Sequence, residues 1–193
     1  MIKLAITGGI GSGKSLVCDS FKSAGVPVFN CDETSRRILY ENKDKIVSIF
    51  GDGVLKDGNL DRPSLGRIVF ADKEQLKKLT DILHPLVHIE MEKFYDKHKS
   101  ENLCVVENAI LFESGTQGNF DYIMTVAADE EIRIERAMAR DKASREDVKM
   151  RIDNQLSQQY KIDNSNFVIY NNGTQFELNL QVANVYETLI NKK

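Results

Sequence analysis

The chain has 193 residues, a formal net charge of −3 and a hydrophobic fraction of 41%. This length predicts one domain, or one core with an inserted subdomain, and the composition is typical of a soluble globular protein. No apolar run approaches the ~18 residues of a membrane span, and the slight acidity gives no basis for polyanion binding, so we expect neither membrane nor nucleic acid as a partner.

The N-terminal segment and the cysteines indicate the compartment. The segment has too few apolar residues before its first glycines to be a secretory signal, so a cytoplasmic location is expected. Cys18, Cys31 and Cys104 are odd in number, widely spaced and without a C-x-x-C pair. This pattern favours reduced thiols, packed as small hydrophobic side chains, over a disulfide framework or a zinc site.

The first 30 residues predict a βαβ unit. A short apolar strand over 2–6 runs into glycines, and a helix follows over 15–24. Gly25 and Pro27 end that helix, and 26–29 form a second strand. Strand, glycine loop, helix and strand in this order predict a right-handed unit in a parallel sheet.

A charged, mainly helical section follows, from about residue 34 to residue 99. Apolar periodicity predicts a helix over 74–83, and Pro85 is expected to end it or to begin the next one. Turns are expected at Gly51-Asp52-Gly53 and Asp57-Gly58-Asn59. We interpret this section as a helical insertion on the sheet.

The rest of the chain alternates again between strands and helices, with strands predicted over 103–106, 122–127 and 167–170 and helices over 129–138, 147–159 and 176–190. This alternation predicts a doubly wound α/β fold.

One motif carries specific chemistry: Gly8 to Ser15 matches G-x-x-x-x-G-K-[ST], and we call this segment the P-loop. Its glycines let backbone N–H groups point at phosphate oxygens, next to the positive end of the following helix. Lys14 is expected to reach the β- and γ-phosphates, and the Ser15 hydroxyl to hold Mg²⁺. An incidental glycine-rich turn is disfavoured, because the motif lies between a strand and a helix. The predicted phosphate-binding residues are Gly9, Gly11, Ser12, Gly13, Lys14 and Ser15.

The absence of other motifs narrows the class of nucleotide-binding protein. The string nearest to the guanine motif N-K-x-D is Asn42-Lys43-Asp44-Lys45, which ends in lysine and lies in a helical segment. The strand ending in Val105-Val106-Glu107-Asn108 offers one acid instead of the Asp-Glu pair of motor ATPases. Together with an early second acid, Asp32, these features favour a small-molecule kinase over a switch GTPase or a motor.

Asp32 follows the second predicted strand, at the sheet edge where open α/β folds bind ligands. There it could position an acceptor hydroxyl and accept its proton. The alternative is an Asp that caps the next helix.

A set of arginines on a later helix predicts a lid: Arg133, Arg136 and Arg140 lie three and four residues apart, with Arg145 and Arg151 beyond. Arginines on a mobile segment can neutralise the transferring phosphoryl group. Arg136 and Arg140 are our candidates. The alternative is a solvated face paired with Glu135, Asp141 and Glu146.

His84 and His88 are four residues apart, but Pro85 lies between them and no third ligand is evident, so a metal site is disfavoured. His84 could instead line an acceptor pocket.

These residues resemble the dephospho-CoA kinase family along essentially the whole chain. The resemblance rests on the P-loop string TGGIGSGKS, Asp32 with Arg36, Leu60-Asp61-Arg62 with Leu65-Gly66 and Ile68-Val69-Phe70, His84-Pro85-Leu86, Arg136 with Arg140-Asp141 and Arg145-Glu146, Gln155, and Asn171 with Gly173. It implies a P-loop NTPase fold of three α/β/α layers with a parallel sheet. The sheet core is expected over about 1–33 and 101–193, the CoA-binding helical insertion over about 34–100 and a small lid over about 136–160.

The resemblance also implies a reaction: ATP phosphorylates the 3′-hydroxyl of the ribose of dephospho-CoA, with Mg²⁺, in the last step of coenzyme A synthesis. It implies Asp32, Lys14, Arg136 and Arg140 as catalytic residues. Leu16, Asn171 and Gly173 would join the P-loop in nucleotide binding. We expect a monomer or a weak homo-oligomer.

Four positions depart from the family pattern. Leu16 replaces a usual threonine, Glu107 with Ala109 replaces Asp and Pro in the D-x-P-L-L-F-E string, and Asn166 replaces an aspartate. None of them alters Lys14, Ser15 or Asp32.

Two other functions remain open from the sequence. A kinase of another nucleotide or nucleoside would share the fold, and a P-loop regulatory module would hydrolyse ATP slowly without an acceptor. Dependence of ATP consumption on an added hydroxyl acceptor separates the kinases from the module.

Overall fold

The computed structural model describes residues 1–191, in which five parallel strands form one sheet and two short strands form a hairpin. The sheet has the order β2-β5-β1-β6-β7, so the predicted α/β class with a parallel sheet is confirmed. The strands are β1 (Ile2–Thr7), β2 (Val28–Asn30), β3 (Leu55–Lys56), β4 (Asn59–Leu60), β5 (Leu103–Glu107), β6 (Tyr122–Ala127) and β7 (Phe167–Tyr170).

The chain forms two compact units: unit 1 comprises residues 1–30 and the chain from His98 onward, and unit 2 comprises Cys31–Lys97. The described helices of unit 1 are α1 (Lys14–Ser23), α6 (Glu130–Asp141), α7 (Arg145–Asp153), α8 (Gln158–Asp163) and α9 (Gln175–Ile190). Those of unit 2 are α2 (Cys31–Glu41), α3 (Lys43–Phe50), α4 (Arg62–Ala71) and α5 (Lys73–Lys97).

The core of unit 1 follows from the alternation of β1 side chains. Leu4 and Ile6 are fully buried in a cluster that includes Phe21 of α1 and Leu178 of α9. Ala5 points to the opposite face, where it packs with Leu111 and others. Burial of each large apolar side chain contributes about 2 to 3 kcal/mol. This packing fixes β1 at the centre of the sheet, and with it the loop that leaves its carboxyl end.

The hairpin of unit 2 turns where the sequence predicts. Asp57 and Gly58 link β3 to β4, and both have positive φ, +51° and +73°. A two-residue hairpin loop of the right twist needs positive φ at both positions, for which Asp-Gly is a preferred pair. The strand pair itself is not predicted by the sequence pattern, since each strand has only two residues.

The prediction that Pro85 separates two helices is wrong, because α5 runs without a break from Lys73 to Lys97 with Pro85 inside it. Proline removes one i→i−4 hydrogen bond and costs about 3 kcal/mol in a helix interior. Leu83 is buried, and Leu79 and Leu86 pack against the same apolar cluster from either side of Pro85. Their burial offsets the lost hydrogen bond.

The predicted helix over 147–159 is two helices, α7 and α8, separated by residues 154–157. The side chains of Ser144 and Ser157 cap them by accepting hydrogen bonds from the N–H groups of Asp147 and Tyr160, which fixes both starts. Within residues 1–191, the helices are all too short or too polar to span a bilayer.

Candidate active site

The P-loop joins the carboxyl end of β1 to α1, and steric constraints require glycine at several of its positions, among them Gly11 and Gly13. Gly11 and Gly13 have φ of +75° and +94°, the left-handed region that favours glycine. A Cβ on Gly11 would collide with the backbone oxygen of Arg133, and a Cβ on Gly13 would collide with the side-chain nitrogen of Asn171. The loop is therefore held tightly between α6 and the segment that follows β7.

Lys14, the cation of the motif, bends back over this loop. Its ammonium donates hydrogen bonds to the carbonyl oxygens of Gly8 at 2.9 Å and Gly9 at 3.3 Å. Its positive charge therefore lies beside the backbone that the motif assigns to phosphate binding. Leu16, two residues on, is 44% exposed.

Ser15 lies next to an acidic side chain from another strand. Its hydroxyl donates to Glu107 Oε1 at 3.2 Å, and Asn30 Nδ2 donates to Glu107 Oε2 at 2.8 Å. Glu107 ends β5, the strand between β1 and β2, and pairs in register with Ile6 and Asn30. The sheet order thus brings together three polar groups that are far apart in the sequence.

Cys18 lies on α1 beneath this group. Burial, followed by the negative charge of Glu107, raises the pKa of its thiol far above the ordinary value. The thiol therefore stays protonated and unreactive at neutral pH. This agrees with its predicted place as a small buried hydrophobe.

The oxygen atoms of Ser15 and Glu107 fit Mg²⁺. This ion prefers oxygen ligands and is usually held by one or two protein side chains together with phosphates and water. Such a site needs no cluster of protein ligands, and residues 1–191 hold no group of three His, Cys, Asp or Glu side chains that could bind a metal.

The P-loop is supported from α6 by Arg133, the member of the predicted arginine set that was not one of the two lid candidates. Arg133 is 5% exposed, and its Nε donates to the carbonyl oxygen of Ile10 at 3.1 Å. Gln155 accepts a hydrogen bond from the N–H of Ile10 at 2.9 Å. The P-loop motif predicts neither contact, because Arg133 and Gln155 lie more than a hundred residues from Ile10 in the chain.

Asn171 joins the P-loop to the lid candidate Arg136. Its side-chain amide donates to the carbonyl oxygen of Ser12 at 2.9 Å, and its own carbonyl accepts from Arg136 Nη1 at 2.9 Å. Gly173 follows in an exposed turn, directly before Thr174, which starts α9 with a capping box. Three predicted site residues, Ser12, Arg136 and Asn171, therefore form one hydrogen-bonded group.

Arg140, the other lid candidate, is exposed and pairs with Asp141 through two hydrogen bonds of 2.7 and 2.9 Å. Arg151 joins Asp141 at 2.6 Å, and Arg145 pairs with Glu131 at 2.7 Å. Of the three acids that the sequence suggested as partners, Asp141 is used in these ion pairs. Hydrogen bonds from Arg140 and then Arg151 hold the pKa of Asp141 well below its usual range.

Asp32 and His84 belong to unit 2. Asp32 lies in the first turn of α2, which begins at Cys31, so the N-cap position is Asn30 and Asp32 lies two residues past it. Its side chain is exposed, and it follows the last residue of β2 by two positions. His84 and His88 are exposed on α5.

An ion pair between a buried lysine and a partly exposed glutamate is a second contact that the sequence does not predict. Lys161 of α8 is fully buried, and its ammonium lies 2.8 Å from Glu113 Oε1 and donates to the carbonyl oxygen of Ala109 at 3.1 Å. Glu113 also accepts from the N–H of Leu156 at 3.0 Å. The segment after β5 is thereby fixed to α8 and to the residues before it.

Comparison with known proteins gives consistent results. The family model of dephospho-CoA kinase matches residues 2–177. A dephospho-CoA kinase of Bacillus cereus is 37% identical over 179 residues, which cover 90% of each chain.

Two solved structures share the fold over nearly the whole length. A crystal structure of a Thermus thermophilus protein has a TM-score of 0.91 and 33% identity, covering 97% of this chain and 96% of the other. A dephospho-CoA kinase of Campylobacter jejuni has a TM-score of 0.73 and 28% identity, with 98% of each chain covered. The chain therefore belongs to the dephospho-CoA kinase family and is an ATP-dependent kinase of the final step of coenzyme A synthesis.

Proposed function

We propose that this chain transfers the γ-phosphoryl group of ATP to the 3′-hydroxyl of the ribose of dephospho-CoA, with Mg²⁺, through the residues assigned below. The products are ADP and coenzyme A. The observation that carries the proposal is the contact of 3.2 Å between Ser15, the last residue of the P-loop, and Glu107 at the end of β5. It supports a metal and phosphate site at the carboxyl edge of the sheet, where open α/β folds bind nucleotides.

The P-loop and Lys14 hold the donor. Backbone N–H groups of the loop bind the phosphate oxygens, and the Lys14 ammonium neutralises charge on the β- and γ-phosphates. Ser15, with Glu107 beside it, would hold Mg²⁺, which when bound neutralises charge on the triphosphate. Arg136 and Arg140 contact the transferring group when the lid, about residues 136–160, closes.

Asp32 acts on the acceptor. Its carboxylate accepts the proton of the 3′-hydroxyl as that oxygen bonds to the γ-phosphorus and the bond to the β,γ-bridging oxygen breaks. Its position in the first turn of α2, exposed and directly after β2, supports this assignment. Unit 2 supplies the binding surface for the acceptor, and Leu16, Asn171 and Gly173 contact the nucleotide.

The test is the Asp32→Asn variant, assayed by ADP release with dephospho-CoA, AMP, adenosine or no acceptor. We expect kcat with dephospho-CoA to fall by about 10²- to 10⁴-fold, because general-base catalysis contributes about that much, while ATP affinity stays the same. Glu33→Gln, an exposed neighbour on the same turn, is the matched control and should keep full activity.

Two results would contradict the proposal. Full turnover by Asp32→Asn would remove the base assignment. ADP release by the wild type that does not depend on dephospho-CoA, or that prefers AMP or adenosine, would overturn the acceptor.

We also propose a cytoplasmic location and a monomer or weak homo-oligomer. The free thiols of Cys18 and Cys104 support the location, since disulfides persist mainly in oxidising compartments. Sedimentation over a range of protein concentrations tests the oligomeric state, and a stable dimer at every concentration would contradict it.

A further inference from the structure

Arg133 places a buried positive charge directly against the P-loop. Its guanidinium donates from Nε to the carbonyl oxygen of Ile10 at 3.1 Å and from Nη1, over a long 3.5 Å, to Gln158 Oε1. Its Nη2 lies 2.6 Å from the point where a Cβ on Gly9 would stand. The charged group thus packs against the backbone of two successive P-loop residues, Gly9 and Ile10.

Within residues 1–191, no carboxylate forms an ion pair with Arg133, whereas Arg140 on the same helix and Arg145 and Arg151 on α7 each have one. Burial lowers the pKa of its guanidinium, and the negative charge of Glu130 raises it to a smaller extent. The group stays charged because an arginine side chain does not lose its proton in proteins. The two acceptors of the guanidinium, the Ile10 carbonyl oxygen and Gln158 Oε1, are both neutral.

An arrangement of this kind is costly for folding. A buried charge without a counter-ion is unfavourable even when it is hydrogen-bonded. A glutamine could donate to the Ile10 carbonyl without that cost. The hydrogen bond alone therefore does not account for a charged residue at this position, and a polyanion bound by the adjacent loop would supply the missing countercharge.

We propose that Arg133 is a positioning residue for nucleotide binding, whose fixed charge complements the phosphates held by the P-loop. The proposal rests on the assignment of the P-loop to phosphate binding. Two effects act together. The charge attracts the phosphates through a buried, weakly screened region, and donation to the Ile10 carbonyl polarises the Ile10–Gly11 peptide, which makes the N–H of Gly11 a stronger donor.

The proposal predicts effects of opposite sign on the free and the bound protein. Arg133→Gln removes the charge and keeps a donor for Ile10. The melting temperature of the free variant should equal or exceed that of the wild type, because an unpaired buried charge is gone. The increase in melting temperature caused by ADP should shrink, since ligand stabilisation follows affinity. A merely structural residue would instead lower the melting temperature of the free protein.

The experiment is calorimetric titration of ADP, and in parallel of adenosine, into the wild type and three variants. Arg133→Gln should weaken ADP binding about tenfold and leave adenosine binding unchanged, because adenosine has no phosphate. Arg133→Lys keeps the charge and should recover most of the ADP affinity. Lys22→Gln removes one exposed positive charge that pairs with Asp19, and should match the wild type.

Equal ADP affinity of Arg133→Gln and the wild type would overturn the proposal. So would equal losses of ADP and adenosine affinity, or a melting temperature of free Arg133→Gln at least about 5 °C below that of the wild type, since either result indicates a distorted fold. Failure of the wild type to bind ADP would overturn the P-loop assignment itself, and this inference with it.

Discussion

The hydroxyl of Ser15 and the carboxylate of Glu107 lie 3.2 Å apart, although 92 positions separate them in the chain. The contact joins the first turn of α1 to the end of β5. Asn30 holds the other carboxylate oxygen at 2.8 Å, so the orientation of Glu107 is fixed from both sides. The glutamate that departs from the family pattern thus reaches the residue expected to hold Mg²⁺.

Glu107→Gln should weaken the apparent affinity for Mg²⁺. The variant keeps the size of the side chain and removes the negative charge beside Ser15, so we expect the Mg²⁺ concentration for half-maximal activity to rise about tenfold or more. Activity measured over a Mg²⁺ titration checks this. Glu101→Gln, in the exposed loop before β5, is the control. If the half-maximal Mg²⁺ concentration of Glu107→Gln equals that of the wild type, Glu107 does not contribute to Mg²⁺ binding.

Lys161→Met should destabilise the fold. The change leaves Glu113 without its ion-pair partner. Because the Glu113 side chain is 20% exposed, we expect a cost of about 2 kcal/mol in free energy of unfolding, less than for a fully buried pair. Urea unfolding measures this. The double variant Lys161→Met with Glu113→Gln should recover more than half of the loss, since the unpaired charge is gone.

The matched control for this pair is Lys77→Met, which breaks the exposed pair of Lys77 and Asp81, with side chains 74% and 60% exposed. It should cost less than about 0.5 kcal/mol. Equal losses for Lys161→Met and Lys77→Met would show that burial of the first pair does not matter.

The ion pairs of Asp141 should contribute less to the free energy of unfolding at acidic pH. Hydrogen bonds from Arg140 and Arg151 lower its pKa in the folded protein below the unfolded value of about 3.9. Its contribution to stability is therefore present above about pH 4 and is lost as the pH falls through the folded pKa.

Urea unfolding of the wild type and Asp141→Asn from pH 7 to pH 3 tests this prediction. The difference in free energy of unfolding between them should be constant down to about pH 5 and should shrink at lower pH. Asp153→Asn, exposed on α7, should show no such trend. A constant difference down to pH 3 would mean that the ion pairs do not hold in solution.

Local patterns predicted the regular elements well. The bounds of β6 and β7 are as predicted, because each is an apolar run between polar or turn-forming residues. The tight turn of the P-loop was also predictable, since Gly11 and Gly13 allow the positive φ angles that the loop adopts. Pro85 shows where local rules fail: tertiary burial on both sides of it outweighs the lost hydrogen bond.

The supports of the candidate site were less predictable. Helical spacing placed Arg133, Arg136 and Arg140 on one helix, but it could not tell which of them is buried. Arg133 is buried because Ile10, from the other end of unit 1, packs against α6. Nothing in the sequence distinguishes Lys161 from a surface lysine. In the structure, its contacts with Glu113 and Ala109 compensate for its burial.

The strand order also determines at which stage of synthesis the protein can first bind nucleotide. Ile2 pairs with Leu103 and Leu4 pairs with Tyr122, so both neighbours of β1 are made long after it. Unit 2 is continuous in the chain and is translated completely before either partner of β1 emerges. Domains tend to fold as units during synthesis on the ribosome. The P-loop precedes both of these strands in the chain, so we expect it to take its binding conformation only after they are made. A nascent chain that ends before residue 127 lacks part of β6, leaves one edge of β1 unpaired and should not retain nucleotide.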